Sequence, residues 1–216
     1  MECNGDDDHA PAKPSQAPRK YRVAAAYSVF ATDLTFISGA DAFVERRAAT
    51  ASLSYRVNDT TNVQAGLGAT LGGRFVFGEE RFSFDPGWIA SLAVTWKIIG
   101  AKRDDAFLIA SGAIAASGTA TRDAAGSTED MFAFDLRASV IGGKTFFDVL
   151  SPYLVVRAFG GPVLWKLRGE DQFGGDKYHF QVGAGLVVAL PERFDVFAEG
   201  VPLGERAAVA GIGYSF

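Results

Sequence analysis

Few residues in this 216-residue chain are of types that do chemistry. There are two histidines. His9 lies in a polar N-terminal stretch, and His179 stands close to Asp176 and Lys177. An imidazole beside a carboxylate can work as an acid–base pair. A solvated side chain is the plainer account, so no catalytic residue is assigned and the chain is read as a non-enzyme. With one cysteine there is no intramolecular disulfide framework and no Cys-based zinc cluster. No metal and no cofactor are expected. Gly66-Leu67-Gly68 and Gly72-Gly73 sit inside extended stretches and do not open a helix, so they read as relief of crowding or strand bending, not as a phosphate loop. What remains is a set of charges spaced along alternating segments: Arg22, Arg56, Arg74, Lys97, Asp135, Arg137, Arg157, Asp195 and Glu199. If they face one enclosed space, they can pair into a filling network or, six basic against three acidic, line a small anion-preferring passage.

The elements that would position these charges are strands. From about Lys20 onward, apolar and polar residues alternate with period two. Ala49, Ala51, Leu53, Tyr55 and Val57 share one face, with Thr50, Ser52, Ser54 and Arg56 opposite. Leu67, Leu71 and Phe75 are placed together, opposite Gln64, Thr70 and Arg74. Phe132, Phe134, Leu136 and Val140 alternate with Asp135, Arg137 and Ser139. Leu154, Val156 and Leu164 are set against Tyr153, Arg157 and Phe159, with a bulge or bend at Pro162. Ten strands are expected, near 20–32, 45–57, 63–76, 86–99, 106–119, 130–145, 152–167, 177–190, 194–201 and 205–216, with eight as the alternative. Short turns follow the second, fourth, sixth and eighth. Longer, Gly-rich and acidic loops follow the first, third, fifth and seventh, near 33–44, 77–85, 120–129 and 168–176. The connection after the ninth, Pro202-Leu203-Gly204, breaks this trend by being short.

Composition narrows the class. Lys+Arg 21 against Asp+Glu 25 gives a net charge of -4, which argues against a nucleic-acid binder. No run reaches the ~20 apolar residues of a spanning helix; Ala106–Gly118 is too short and too rich in Gly and Ser. Residues 1–19, with three Pro and the run Asp6-Asp7-Asp8, read as a disordered tail, and 20–216 as one barrel domain. Met1-Glu2-Cys3 shows no basic start or apolar run, so the chain is expected to begin near a mature N-terminus. Cys3 is a solvated thiol or a lipid acceptor.

The polar face decides which way the barrel is turned. It is dominated by Gly, Ser, Thr, Ala and Gln with isolated charges of both signs, and it lacks the Lys/Glu density of a solvated sheet. Small residues and pairable charges suit a crowded interior, and aromatics at the ends of the apolar face suit interfacial girdles. The expected fold is all-β: a closed, antiparallel, up-and-down transmembrane β-barrel. A soluble ligand-binding barrel is the inverse possibility.

The closing segment Ala210-Gly211-Ile212-Gly213-Tyr214-Ser215-Phe216 resembles the end of bacterial outer-membrane β-barrel proteins of the small OmpA-type and porin-like class. The resemblance implies that Ile212, Tyr214 and Phe216 carry the signal read by the barrel-assembly machinery. It also implies an integral outer-membrane location with the N-terminal tail in the periplasm. Lipid and lipopolysaccharide would be its surroundings, and nucleic acid no partner. The expected role is a monomeric envelope-structural barrel or narrow passive pore, its lumen mostly filled by charged and polar side chains. An outer-rim barrel enzyme acting on lipid or peptide at His179 is the alternative.

Overall fold

Alternation of this length leaves the chain one way to satisfy its backbone, a sheet without edges. The computed structural model of the protein describes residues 19–100 and 106–216. The tail expected over 1–19 lies outside the described residues except for Arg19. Thirteen strand segments follow one another: β1 (Tyr21–Phe36), β2 (Asp41–Arg56), β3 (Thr61–Phe77), β4 (Glu80–Phe84), β5 (Gly87–Ile99), β6 (Ala106–Arg122), β7 (Thr128–Lys144), β8 (Leu150–Gly160), β9 (Pro162–Leu167), β10 (Glu170–Asp176), β11 (Phe180–Ala189), β12 (Phe194–Leu203) and β13 (Arg206–Ser215). All pair antiparallel, and the sheet closes on itself through β1 and β13. Backbone bonds between Tyr21 and Phe216 complete that seam at the lower, short-turn end.

Three successive pairs are halves of one barrel strand. β4 and β5 both lie between β3 and β6. β8 and β9 both pair with β7, and β10 and β11 continue one another beside them. Thirteen segments less three continuations give ten strands around the lower half. The upper half has eight. The β12–β13 hairpin turns back at Gly204, and above it β10 pairs directly with β1, Leu34 opposite Asp176 and Phe36 opposite Gly174. The short connection after the ninth strand is therefore the point at which two strands drop out of the wall.

The lower half is apolar outside. Leu67, Leu136, Leu154 and Phe180 are more than 60% exposed, and Trp88 and Trp96 flank them. Tyr21, Tyr55, Tyr214, Phe194 and Phe216 stack into an aromatic group at the lower rim. An apolar belt of this extent on a closed barrel is a lipid-facing surface.

The upper half inverts. Leu34, Phe36, Val44, Phe75, Phe82, Phe84, Met131, Val163 and Trp165 point inward and form the buried core. Outside, ion pairs join Arg74 to Glu45 (2.8 Å), Arg122 to Asp85 (2.7 Å) and Arg168 to Glu80 (2.7 Å), and Lys177 pairs with Asp41. Polar-out and apolar-in is the pattern of a barrel standing in water. This corrects the expected long loops. Most of 33–44, 77–85, 120–129 and 168–176 is strand, joined by turns such as Ile37–Ala40 and Arg168–Gly169. Their Gly and acid content belongs to a solvated outer face, and the alternation continues through it.

One phase error follows from a bulge. Thr70 faces inward opposite Ala48, but Gly72, with φ +130°, pairs with Arg47, leaving Leu71 as the extra residue. The extra residue reverses the alternation. Phe75 therefore turns inward and is fully buried, and Arg74 turns out of the lumen. The irregularity foreseen at Pro162 is present, at Gly161, where a Cβ would collide with the Phe134 carbonyl.

Candidate functional site

The lumen contains two adjacent spaces, and Ser91 lines both. The lower one, about 610 Å³, is bounded by Ala24, Ala26, Thr50, Ser52, Gln64, Gly66, Tyr153 and Phe197. Arg22 on β1 reaches across β13 to Asp195 on β12, its Nε donating at 2.9 Å. The guanidinium lies flat over Gly213, where any side chain would clash with it. Tyr153 on β8 likewise lies over Gly185 and donates its hydroxyl to Glu199 at 2.9 Å, and Arg157 pairs with the other Glu199 oxygen at 2.7 Å. The inward glycines thus make room for side chains that run along the wall between strands.

The third group sits at mid-height. Glu205 is only 4% exposed, at the tip of the short β12–β13 hairpin, and it accepts from Arg137 at 3.2 Å. Arg137 also pairs with Asp135. Arg46 on β2 lies over the Phe30 ring at 5.0 Å and the Phe84 ring at 5.5 Å, within electrostatic reach of Glu205. These heads border the upper space, about 320 Å³, which has apolar walls from Leu34, Val44, Ile89, Met131 and Val163. Above it the aromatic core closes the barrel. Trp165 packs edge-on to Phe75 at 4.7 Å and donates its indole N–H to Thr121 at 2.9 Å.

Of the nine charges proposed for the lumen, the structure places Arg22 with Asp195, Arg157 with Glu199, and Arg137 with Asp135. Arg74 is outside. Arg56 and Lys97 are at the lower end, and no ion pair joins either of them to a carboxylate among the described residues. The network is three clusters, not one. Sequence reasoning missed Glu205 and Arg46. The signal for Glu205 was the anomalously short connection at Pro202-Leu203-Gly204. Arg46 was legible by extending the even-numbered face of Ser52, Ser54 and Arg56 upward. Ile212 faces lipid, and Tyr214 and Phe216 stack at the lower rim. His179 lies near the hairpin tip, with Nδ1 3.3 Å from the Phe159 carbonyl oxygen. No group of three metal-ligating side chains occurs among the described residues.

Electrostatics outside the membrane are simple. The Lys177 ammonium and the Thr35 hydroxyl hold the Asp41 carboxyl below its ordinary value, and Arg122 does the same for Asp85.

No family model matches the chain, and no curated protein matches it. Solved structures do. The outer membrane protease OmpT from Escherichia coli superposes with a TM-score of 0.61 at 8% identity, over 91% of this chain and 97% of that one. The translocator domain of the autotransporter NalP from Neisseria meningitidis gives 0.54 at 13% identity, over 94% and 90%. The beta domain of the Bordetella autotransporter Brka gives 0.50 at 13%, over 92% and 100%. At such identities the likeness is one of fold. A closed antiparallel barrel, an apolar belt, an aromatic lower girdle and these neighbours agree: the fold of this chain is that of the bacterial outer-membrane β-barrels.

Proposed function

We propose that this protein is an integral barrel of the bacterial outer membrane that strengthens the envelope without conducting solutes and without catalysing a reaction. One observation carries the reading. Phe36, Phe75, Phe82, Phe84 and Trp165 fill the upper, eight-stranded half, and Phe75 and Trp165 are 0% and 1% exposed. About eight strands leave room mainly for side chains, and here large apolar ones take it. The lumen is a chamber blocked from above, so a narrow passive pore is the disfavoured alternative. Both termini of the barrel, at Tyr21 and Phe216, lie at the short-turn end, which on this reading faces the periplasm along with the N-terminal tail. The barrel works as a monomer among lipid and lipopolysaccharide, and Ile212, Tyr214 and Phe216 present its last strand to the assembly machinery.

Planar-bilayer recording tests the seal. Wild-type protein is expected to give no current steps. Steady conductance of either ion selectivity from the wild type would overturn the closed-barrel reading.

A further inference from the structure

The mid-height chamber holds buried polar atoms that the protein does not satisfy. Thr32 is 6% exposed, and its hydroxyl has no hydrogen-bond partner. The Arg46 Nε has none either, and the guanidinium forms no ion pair within 4 Å among the described residues. Asp135 spends one oxygen on Arg137 and leaves Oδ1 without a donor. All three residues line the same chamber. Thr32 and Arg46 are diagonal neighbours on one face, since Thr32 pairs with Val44 and Phe30 with Arg46. Two unpaired donors on the β1–β2 wall and an unpaired acceptor on the β7 wall thus lie buried within residues that line the chamber. Asp176, also on the lining, adds a second carboxylate for which no ion pair is formed among the described residues. Buried polar groups without partners cost free energy, and a few polar groups set in an otherwise apolar pocket are the usual form of a ligand site.

We propose that this chamber binds a small zwitterion with an apolar body, an α-amino acid carrying an apolar side chain. Its carboxylate accepts from Arg46 and Thr32. Its ammonium donates to Asp135 and Asp176. Its side chain lies against Leu34, Ile89 and Met131. The lining favours a zwitterion over a simple anion or cation. Two guanidinium groups, Arg46 and Arg137, share the lining with three carboxyl groups, Asp135, Asp176 and Glu205, so a bare carboxylate leaves the acceptors on the β7 side unanswered. A bare amine leaves the Arg46 and Thr32 donors unanswered. The space, about 320 Å³, is at the small end of ligand pockets. Entry is from the lower chamber past Ser91, because the aromatic core closes the top.

The test is calorimetric titration of the full chain in lipid nanodiscs with L-phenylalanine, phenethylamine and 3-phenylpropionate. L-Phenylalanine is expected to bind, and each probe lacking one charge to bind at least ~10-fold more weakly, as sites built on hydrogen bonds reject analogues lacking a partner. Arg46→Met and Asp135→Asn should each weaken L-phenylalanine by a similar factor. Thr32→Val reads the donor side if Arg46→Met does not fold. Absence of heat with all three probes means a chamber filled by water alone and overturns the proposal. So does equal binding of a singly charged probe, or unchanged L-phenylalanine binding in variants that fold.

Discussion

A carboxylate buried as deeply as Glu205 stays ionised only while a cation answers it, and Arg137 is that cation. Its cost is shared with Asp135, so removing Arg137 strands two acids at once. Arg137→Met is expected to destabilise the barrel by about 3 kcal/mol or more, the range for breaking a buried pair. Arg74→Ala removes an exposed ion pair and should cost below ~1 kcal/mol. Urea unfolding in detergent, followed by tryptophan fluorescence, checks both. Equal effects would mean that the mid-barrel cluster is as well solvated as the rim.

Elements carry the change from a lipid-facing to a water-facing barrel. β1 does so without interruption: Arg22, Ala24 and Ala26 are followed on the same inward face by Phe30, Leu34 and Phe36. β3 needs a bulge, and the strand made of β4 and β5 breaks at Asp85-Pro86. The β12–β13 hairpin stops early, and its turn depends on Gly204. That residue has φ +84°, and a Cβ there would strike the Phe180 carbonyl. Gly204→Val is expected to cost at least ~2 kcal/mol through backbone strain and collision, and to loosen Glu205 from Arg137. Reduced urea resistance with faster amide exchange around 200–208 would show it. Exchange unchanged in this hairpin would mean that the turn tolerates the side chain.

At the scale of the molecule, the ring of strands is the unit of stability, since every strand has two neighbours and no edge is exposed within the belt. Such a ring opens only as a whole. The folded protein is expected to migrate differently on SDS gels before and after boiling, and identical bands would argue against a closed barrel. The upper rim adds a pH dependence of known sign. Asp41 and Asp85 have folded-state values held below the ordinary one. Their contribution is present above that ordinary value, near 4, and is lost as pH falls through the lower folded values. Thermal unfolding at pH 3 should therefore come slightly earlier than at pH 7, and the difference should shrink in Asp41→Asn/Asp85→Asn protein.

The sequence by itself determined the strand alternation, the ten-strand plan and the outward apolar face, and it marked Arg22, Asp195, Arg157, Glu199, Arg137 and Asp135 as inward charges without saying which pairs with which. These are local properties of period-two segments, and a face can be read from any few residues of it. The tertiary structure decided what depends on register between distant strands. A bulge one residue long moved Phe75 inside and Arg74 outside. A hairpin ending at Gly204 brought Glu205 to Arg137, 68 positions away. The upper segments looked like acidic loops because their polar face is turned to water. Which face meets water is set by height in the membrane, and height is a property of the assembled barrel alone.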